Sequence, residues 1–290
     1  MVRMPRGELP PPGSKQCHPR VGNDRPEHGC IPLNILMKAA AHLKLKGNLS
    51  GANLRKKLEK ELDIEPEHEY SFLMKLPGID QTEKNQLKIQ YLRPPMPNKW
   101  KDDPDMWLDS DNISQVMNQY EEVYPDFEFM GPFPIDFAAP NPYKGGGGSA
   151  TGEKRECLMN EICELRVQKA REDGVKAIGI VYNLDPHFKS GSHWVANYVD
   201  LKNKRCLYFD SYGMEPPHQI AKFMKWLTTQ DPEMTLTYNA KRLQYKNTEC
   251  GIYCIYFLIR MLMGDELVQL TRRKPGDEQM LNFRKWLFST

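Results

Sequence analysis

Apolar residues recur at helical spacing over several stretches of this chain. Residues 31–45 are rich in helix formers, and Asn34 stands where a cap is expected. Ser50 can cap a second helix carrying Leu54, Leu58 and Leu62 at every fourth position, with Pro66 just past it. Asp109 or Ser110 can cap a third, whose apolar side is Ile113, Val116, Met117 and Tyr120. Leu158, Ile162, Leu165 and Val167 predict another, ended by Gly174. Pro216 opens a helix through Ile220, Phe223, Met224, Trp226 and Leu227. Residues 251–263 are strongly apolar and predict a buried helix, and residues 277–288 turn Met280, Phe283, Trp286 and Leu287 to one side.

Elsewhere the pattern is that of strands. Residues 177–182 form a short continuous apolar run, the mark of a buried strand. Residues 193–200 and 205–210 alternate and are β-rich, with Lys202-Asn203-Lys204 as the turn of a hairpin, and residues 235–238 predict one more strand. Strands in the middle flanked by helices predict an α+β fold.

Proline and glycine divide the chain. Residues 1–30, rich in Pro, Gly and charge, predict a flexible arm, and residues 31–100 a small helical domain ending in a Pro-rich linker that wraps over 76–104. Residues 101–290 then make the main domain. The aromatics Tyr124, Phe127, Phe129, Phe133, Phe137 and Tyr143 lie in an expected loop, as a pocket wall or a cover over the core edge. Residues 145–149, four glycines and a serine, read as an engineered flexible spacer.

Composition narrows the classes. With 40 basic and 38 acidic side chains the net charge is +2, which gives no global argument for nucleic acid or membrane binding. Lys44, Lys46, Arg55, Lys56 and Lys57 form a basic face on the helical arm, either a solvated surface or a weak nucleic-acid contact. No run approaches the length of a membrane span, and the start lacks the apolar core of a signal peptide. Seven cysteines at irregular spacing predict reduced thiols in a reducing compartment. Cys17, His18, His28 and Cys30 cluster, yet match no usual zinc spacing, and the sequence calls for no metal or cofactor.

Chemistry concentrates between Ser190 and Phe257. Cys250 stands where a loop becomes a helix, and the dipole and free N–H groups of helix starts favour a thiolate. Gly251 lets the chain turn and leaves room for a substrate. His193 is the candidate base, and Asp210, on the paired strand, can hold its second ring nitrogen. Gln244, ahead of Cys250, can join the Cys250 N–H in receiving an oxyanion. Each alone has a plain alternative: a small core residue, a structural histidine, a turn-forming aspartate. Their joint order and spacing is the signal.

His193-Trp194, Asp210, Gln244 and Cys250-Gly251 resemble the clan of ubiquitin-like-protein proteases, which includes the SUMO proteases and the adenovirus endopeptidase. Thr248-Glu249-Cys250-Gly251 and the ending from Asp277 to Phe288 resemble the maturation proteases of large cytoplasmic DNA viruses, of the African swine fever virus type, over roughly residues 105–290. Asp210, where the asfarvirus pattern has Asn, agrees with the SUMO proteases. The resemblance implies a papain-like core with a central mixed sheet, a thiol endopeptidase needing no cofactor, and cleavage after Gly-Gly in structural polyproteins, in host cytoplasm and virion. A protease acting on host ubiquitin-like conjugates and an inactive binding module are the alternatives. It further implies that Trp107 and Trp194 close over an extended Gly-Gly backbone and reject any Cβ, while Cys254 faces the core.

Overall fold

The structure is a computed structural model and describes residues 14–22, 24–47, 50–142 and 156–290. Residues 1–13, Tyr143 and the spacer at 145–149 lie outside the described residues. In chain order come α1 (Leu33–His42), α2 (Gly51–Glu61), α3 (Glu69–Lys75), α4 (Gln81–Tyr91) and α5 (Ser110–Val123), then β1 (Phe127–Pro134), α6 (Asn160–Cys163) and α7 (Val167–Glu172). Next are β2 (Ala177–Asn183), β3 (Trp194–Asp200), β4 (Arg205–Phe209), α8 (His218–Gln230) and β5 (Thr235–Tyr238). The chain ends with α9 (Cys250–Leu262), α10 (Leu267–Arg273) and α11 (Asp277–Leu287).

These elements form two compact units. One comprises the chain to Met106 together with Glu278–Thr290, and the other runs from Trp107 to Asp277. The final helix therefore groups with the helical unit, where the sequence had placed it in the main domain.

The helical unit buries Leu36, Leu54, Leu58, Phe72, Leu73 and Leu92 in one core. Ser50 is the residue before α2, as expected, but Pro32 rather than Asn34 precedes α1. The expected flexible arm is not one over its described part. Cys17 and Cys30 join in a disulfide and are buried in this core, which also removes them as zinc ligands. The expected basic face loses Arg55, which is buried between Glu59 and Glu69 over the ring of Phe72. The Pro-rich linker contains a helix, α4, capped by Asp80, whose side chain accepts from Glu83 N at 2.8 Å. α11 closes this unit, with Trp100 edge-on to Phe288 at 4.7 Å and Arg284 over Trp100.

In the second unit the five strands form one mixed sheet in the order β1-β2-β3-β4-β5. β2–β3 and β3–β4 pair antiparallel, whereas both edge pairs, β1–β2 and β4–β5, are parallel. Alternate residues serve opposite faces. Ile178, Ile180 and Tyr182 pack with Ile220, Phe223 and Leu227 of α8. On the other face Phe209 stacks on Phe257 of α9, centroids 4.8 Å apart at 9°. The middle of the expected aromatic loop, with Phe127, Phe129 and Phe133, is β1, while Tyr124 and Phe137 lie outside it. The expected helix from 156 is two short ones, α6 and α7. Asp109 caps α5 through a reciprocal bond with Asn112, and Ile113, Val116, Met117 and Tyr120 are buried as the spacing predicts. The architecture is α+β, as read from the sequence.

The cysteines depart from expectation. Cys157 and Cys163 form a second disulfide, and the free thiols are Cys206, Cys250 and Cys254, all buried. Among the described residues no helix is long and apolar enough to cross a membrane.

Candidate active site

The site gathers at one end of the sheet, where β3 begins and β4 ends. Antiparallel pairing of Ala196 with Phe209 brings the residue before β3, His193, beside the residue after β4, Asp210. The imidazole Nε2 lies 2.8 Å from Asp210 Oδ1. Cys250, the first residue of α9, is the second group that acts on the ring. Burial, the largest single influence, favours the neutral ring. The bonds and charges of Asp210 and Cys250 together outweigh it and raise the imidazole to about 9. The ring is thus an imidazolium at neutral pH, poised to hand a proton on.

Asp210 is fixed through its backbone as well. Its N–H donates to Asn239 Oδ1 at 2.8 Å and its carbonyl accepts from Asn239 Nδ2 at 2.6 Å. Parallel pairing of Tyr208 with Tyr238 brings Asn239, just past β5, to this position. The Tyr212 N–H donates to the same Oδ1 that binds the imidazole, at 2.8 Å.

Gln244 is fully buried with its amide orientation determined. Nε2 donates to the Lys246 carbonyl at 2.7 Å, and a carbonyl can only accept. Ser211 Oγ donates to Oε1 at 2.6 Å. The amide NH₂, with a second N–H, is therefore the end suited to meet a developing oxyanion. Asp277 anchors the loop between Gln244 and Cys250, accepting from the N–H groups of Tyr245 at 3.0 Å and Lys246 at 2.9 Å and from the Tyr253 hydroxyl at 3.1 Å.

Trp107 and Trp194 line one cavity of about 440 Å³. Trp107 is 42% exposed, whereas Trp194 is 5% exposed, its Nε1 donating to the Leu108 carbonyl at 2.9 Å. Gly251 has a different reason from the expected one. It sits in the first turn of α9, where no sharp turn occurs. A Cβ there would lie 3.2 Å from Leu108 Cβ and 3.3 Å from Trp194 Cδ1. Glycine lets the helix start approach the indole rather than leaving open space for substrate. Cys254, fully buried, has its thiol pushed well up by burial and by the neighbouring Cys250, so it stays protonated and inert.

Sequence reasoning did not assign Ser211, Tyr212, Asn239, Asp277 or Leu108. Ser211 and Tyr212 adjoin Asp210, and that adjacency was the available signal. Asn239 could be found only by knowing that β5 pairs with β4.

The model of the Ulp1 protease family's C-terminal catalytic domain matches residues 169–288. Those residues form a Ulp1-family catalytic domain. His193, Asp210, Gln244 and Cys250 all fall within it. Over 192 residues the chain is 33% identical to a putative thiol protease of Acanthamoeba polyphaga mimivirus, covering 63% of this chain and 56% of that one. Over 195 residues it is 30% identical to the SUMO-1 cysteine protease of African swine fever virus, covering 61% of this chain and 66% of that one. The matches thus span 56% to 66% of the length of these curated relatives. A crystal structure of the African swine fever virus protease shares the fold with a TM-score of 0.62, at 17% identity, over 94% of this chain and 95% of that one. The resemblance to ubiquitin-like-protein proteases expected from the sequence holds, and so does the fold it implied.

Proposed function

We propose that this protein is a cysteine endopeptidase that cuts polypeptides after Gly-Gly, with Cys250 as nucleophile, His193 as general base and acid, Asp210 as the ring's orienting partner, and Gln244 with the Cys250 N–H as oxyanion donors. The observation that carries the reading is His193 hydrogen-bonded to Asp210 and acted on electrostatically by Cys250 at the start of α9. His193 takes the proton of the Cys250 sulfur, which attacks the scissile carbonyl. The new oxyanion meets the Gln244 amide and the helix-start N–H. His193 gives its proton to the leaving amine, then takes one from water for deacylation. Two indoles on one cavity can pack against an extended backbone, and a substrate without Cβ atoms lets them approach, which supports glycine on the acyl side. Viral structural polyproteins are the substrates proposed, with action in host cytoplasm and virion, since both relatives are viral.

A ubiquitin-like conjugate is the second reading, favoured by the name SUMO-1 cysteine protease carried by the African swine fever virus relative. A vinyl-sulfone Gly-Gly probe separates enzyme from binder: it should label wild type and Cys254→Ala but not Cys250→Ala. A probe that labels none of the three forms rejects the peptidase. Cleavage of folded ubiquitin-like fusions alone, with Gly-Gly-X peptides untouched, rejects the polyprotein reading.

A further inference from the structure

We propose that Tyr212 is a positioning residue for the imidazole of the His193–Cys250 pair, braced by Arg242; this rests on the peptidase reading and deepens it. The Tyr212 ring stacks face to face on the imidazole, centroids 4.7 Å apart at 17°. Its backbone N–H donates to the very oxygen of Asp210 that binds Nε2. One residue thus fixes both the plane of the ring and the direction of its hydrogen bond.

The stack has a support behind it. The Arg242 guanidinium carbon lies 5.0 Å from the centre of the Tyr212 ring and 5.1 Å from that of Tyr245. Arg242 Nε donates to the Gln244 carbonyl at 2.7 Å. The same side chain therefore touches the support of the base and the backbone of the oxyanion donor. Gly213, at φ +74°, lets the turn that carries Tyr212 dock onto the strand of chain that carries Arg242. A Cβ at Gly213 would stand 2.6 Å from Lys241 C and 2.7 Å from Arg242 N. Backbone lies on backbone there, so the tyrosine cannot slide away without parting the two segments.

The chemistry needs such a device. His193 exchanges protons with the sulfur and with the leaving amine in turn, and each transfer requires the ring nitrogen to point along its bond. A flat ring against one face resists rotation of the imidazole and keeps water from that face. The stack uses the ring and the backbone N–H of Tyr212. The hydroxyl is not part of it.

The test compares Tyr212→Ala, Tyr212→Leu and Tyr212→Phe in the full chain, cutting a Gly-Gly-X peptide. Loss of one stacked aromatic contact predicts a fall in kcat of about tenfold for Ala and Leu, with KM within about twofold. Phe should restore kcat to within about twofold of wild type, and Arg242→Ala should lower it by about threefold. Leu keeps bulk without a flat face, so its failure beside the success of Phe separates stacking from filling of space. A kcat within twofold of wild type in both Ala and Leu, or a Phe variant as slow as Ala, overturns the proposal. An unchanged kcat in Arg242→Ala rejects the brace. Iodoacetamide alkylation of Cys250 needs no substrate. It should slow in Ala and Leu and not in Phe, and equal rates in all four proteins overturn the proposal. A chain that cuts no peptide would reject the peptidase reading while the alkylation comparison still tests Tyr212.

Discussion

At the scale of single residues the site makes a prediction about pH. The folded value of His193, about 9, lies above the ordinary imidazole value of 6.5. The pairing with Asp210 and Cys250 thus contributes stability that is full below 6.5 and is lost as pH rises through about 9. Cleavage should follow, holding through neutral pH and falling above about 9. Asp210→Asn removes a charge that favours the imidazolium, so the alkaline limb should move to lower pH while reduced activity persists. His193→Ala should abolish turnover. A pH profile of kcat/KM checks both, and a limb unmoved in Asp210→Asn would remove Asp210 from the role given it. Asn239→Ala strips both backbone partners from Asp210 and should cost about 1–3 kcal/mol in denaturant titration, with a fall in kcat. Gly251→Ala presses a methyl on a tryptophan pinned by its own hydrogen bond, and a loss of about 1–3 kcal/mol is expected by the same titration. His193, Asp210, Gln244 and Cys250 stood out as candidates because the order of reactive types is unusual. Their supports were not, because serine, asparagine and aspartate in loops are common and their partners are set by pairing in space.

At the scale of elements, legibility followed how strongly each buries one kind of surface. α9 and β2 to β4 are buried on nearly every side, and their sequences say so. α4 buries only Leu87 in its length, so no apolar stripe marked it. β1 contains Gly131, Pro132 and Pro134, residues that usually signal a loop. It keeps strand character as an edge, pairing parallel with β2 across an irregularity between Met130 and Phe133. α9 carries the proposed nucleophile, so its packing is tied to the proposed chemistry. Phe257→Ala removes the ring stacked on Phe209 and should cost about 3–5 kcal/mol, read as a lower midpoint in thermal or urea unfolding.

At the scale of the molecule, the two disulfides sit uneasily with a nucleophilic thiol. Reductant keeps Cys250 active but opens Cys17–Cys30, a bridge with a sequence separation of 13. A loop of that size is worth about 3 kcal/mol in the chain-entropy account. Calorimetry with and without dithiothreitol should show a lower melting temperature for the helical unit in reductant. Identical scans would mean that the bridge contributes nothing. The division of the chain was legible only in outline. The apolar stripe of Met280, Phe283 and Leu287 announced that α11 packs, yet a stripe does not name the core it packs on. The odd cysteine count suggested free thiols, and three are free. The other four pair because folding brings them together, which spacing does not reveal.

The parallel ladder between β4 and β5 sets where Asn239 falls, four backbone pairings from Arg205 to Tyr208 in all. A slip of one rung there would carry the asparagine off Asp210 and unlock the acid while leaving every reacting atom intact. Inactivating substitutions should therefore collect in an edge strand that meets no substrate, and a screen for lost turnover would mark β5 as though it were part of the cleft.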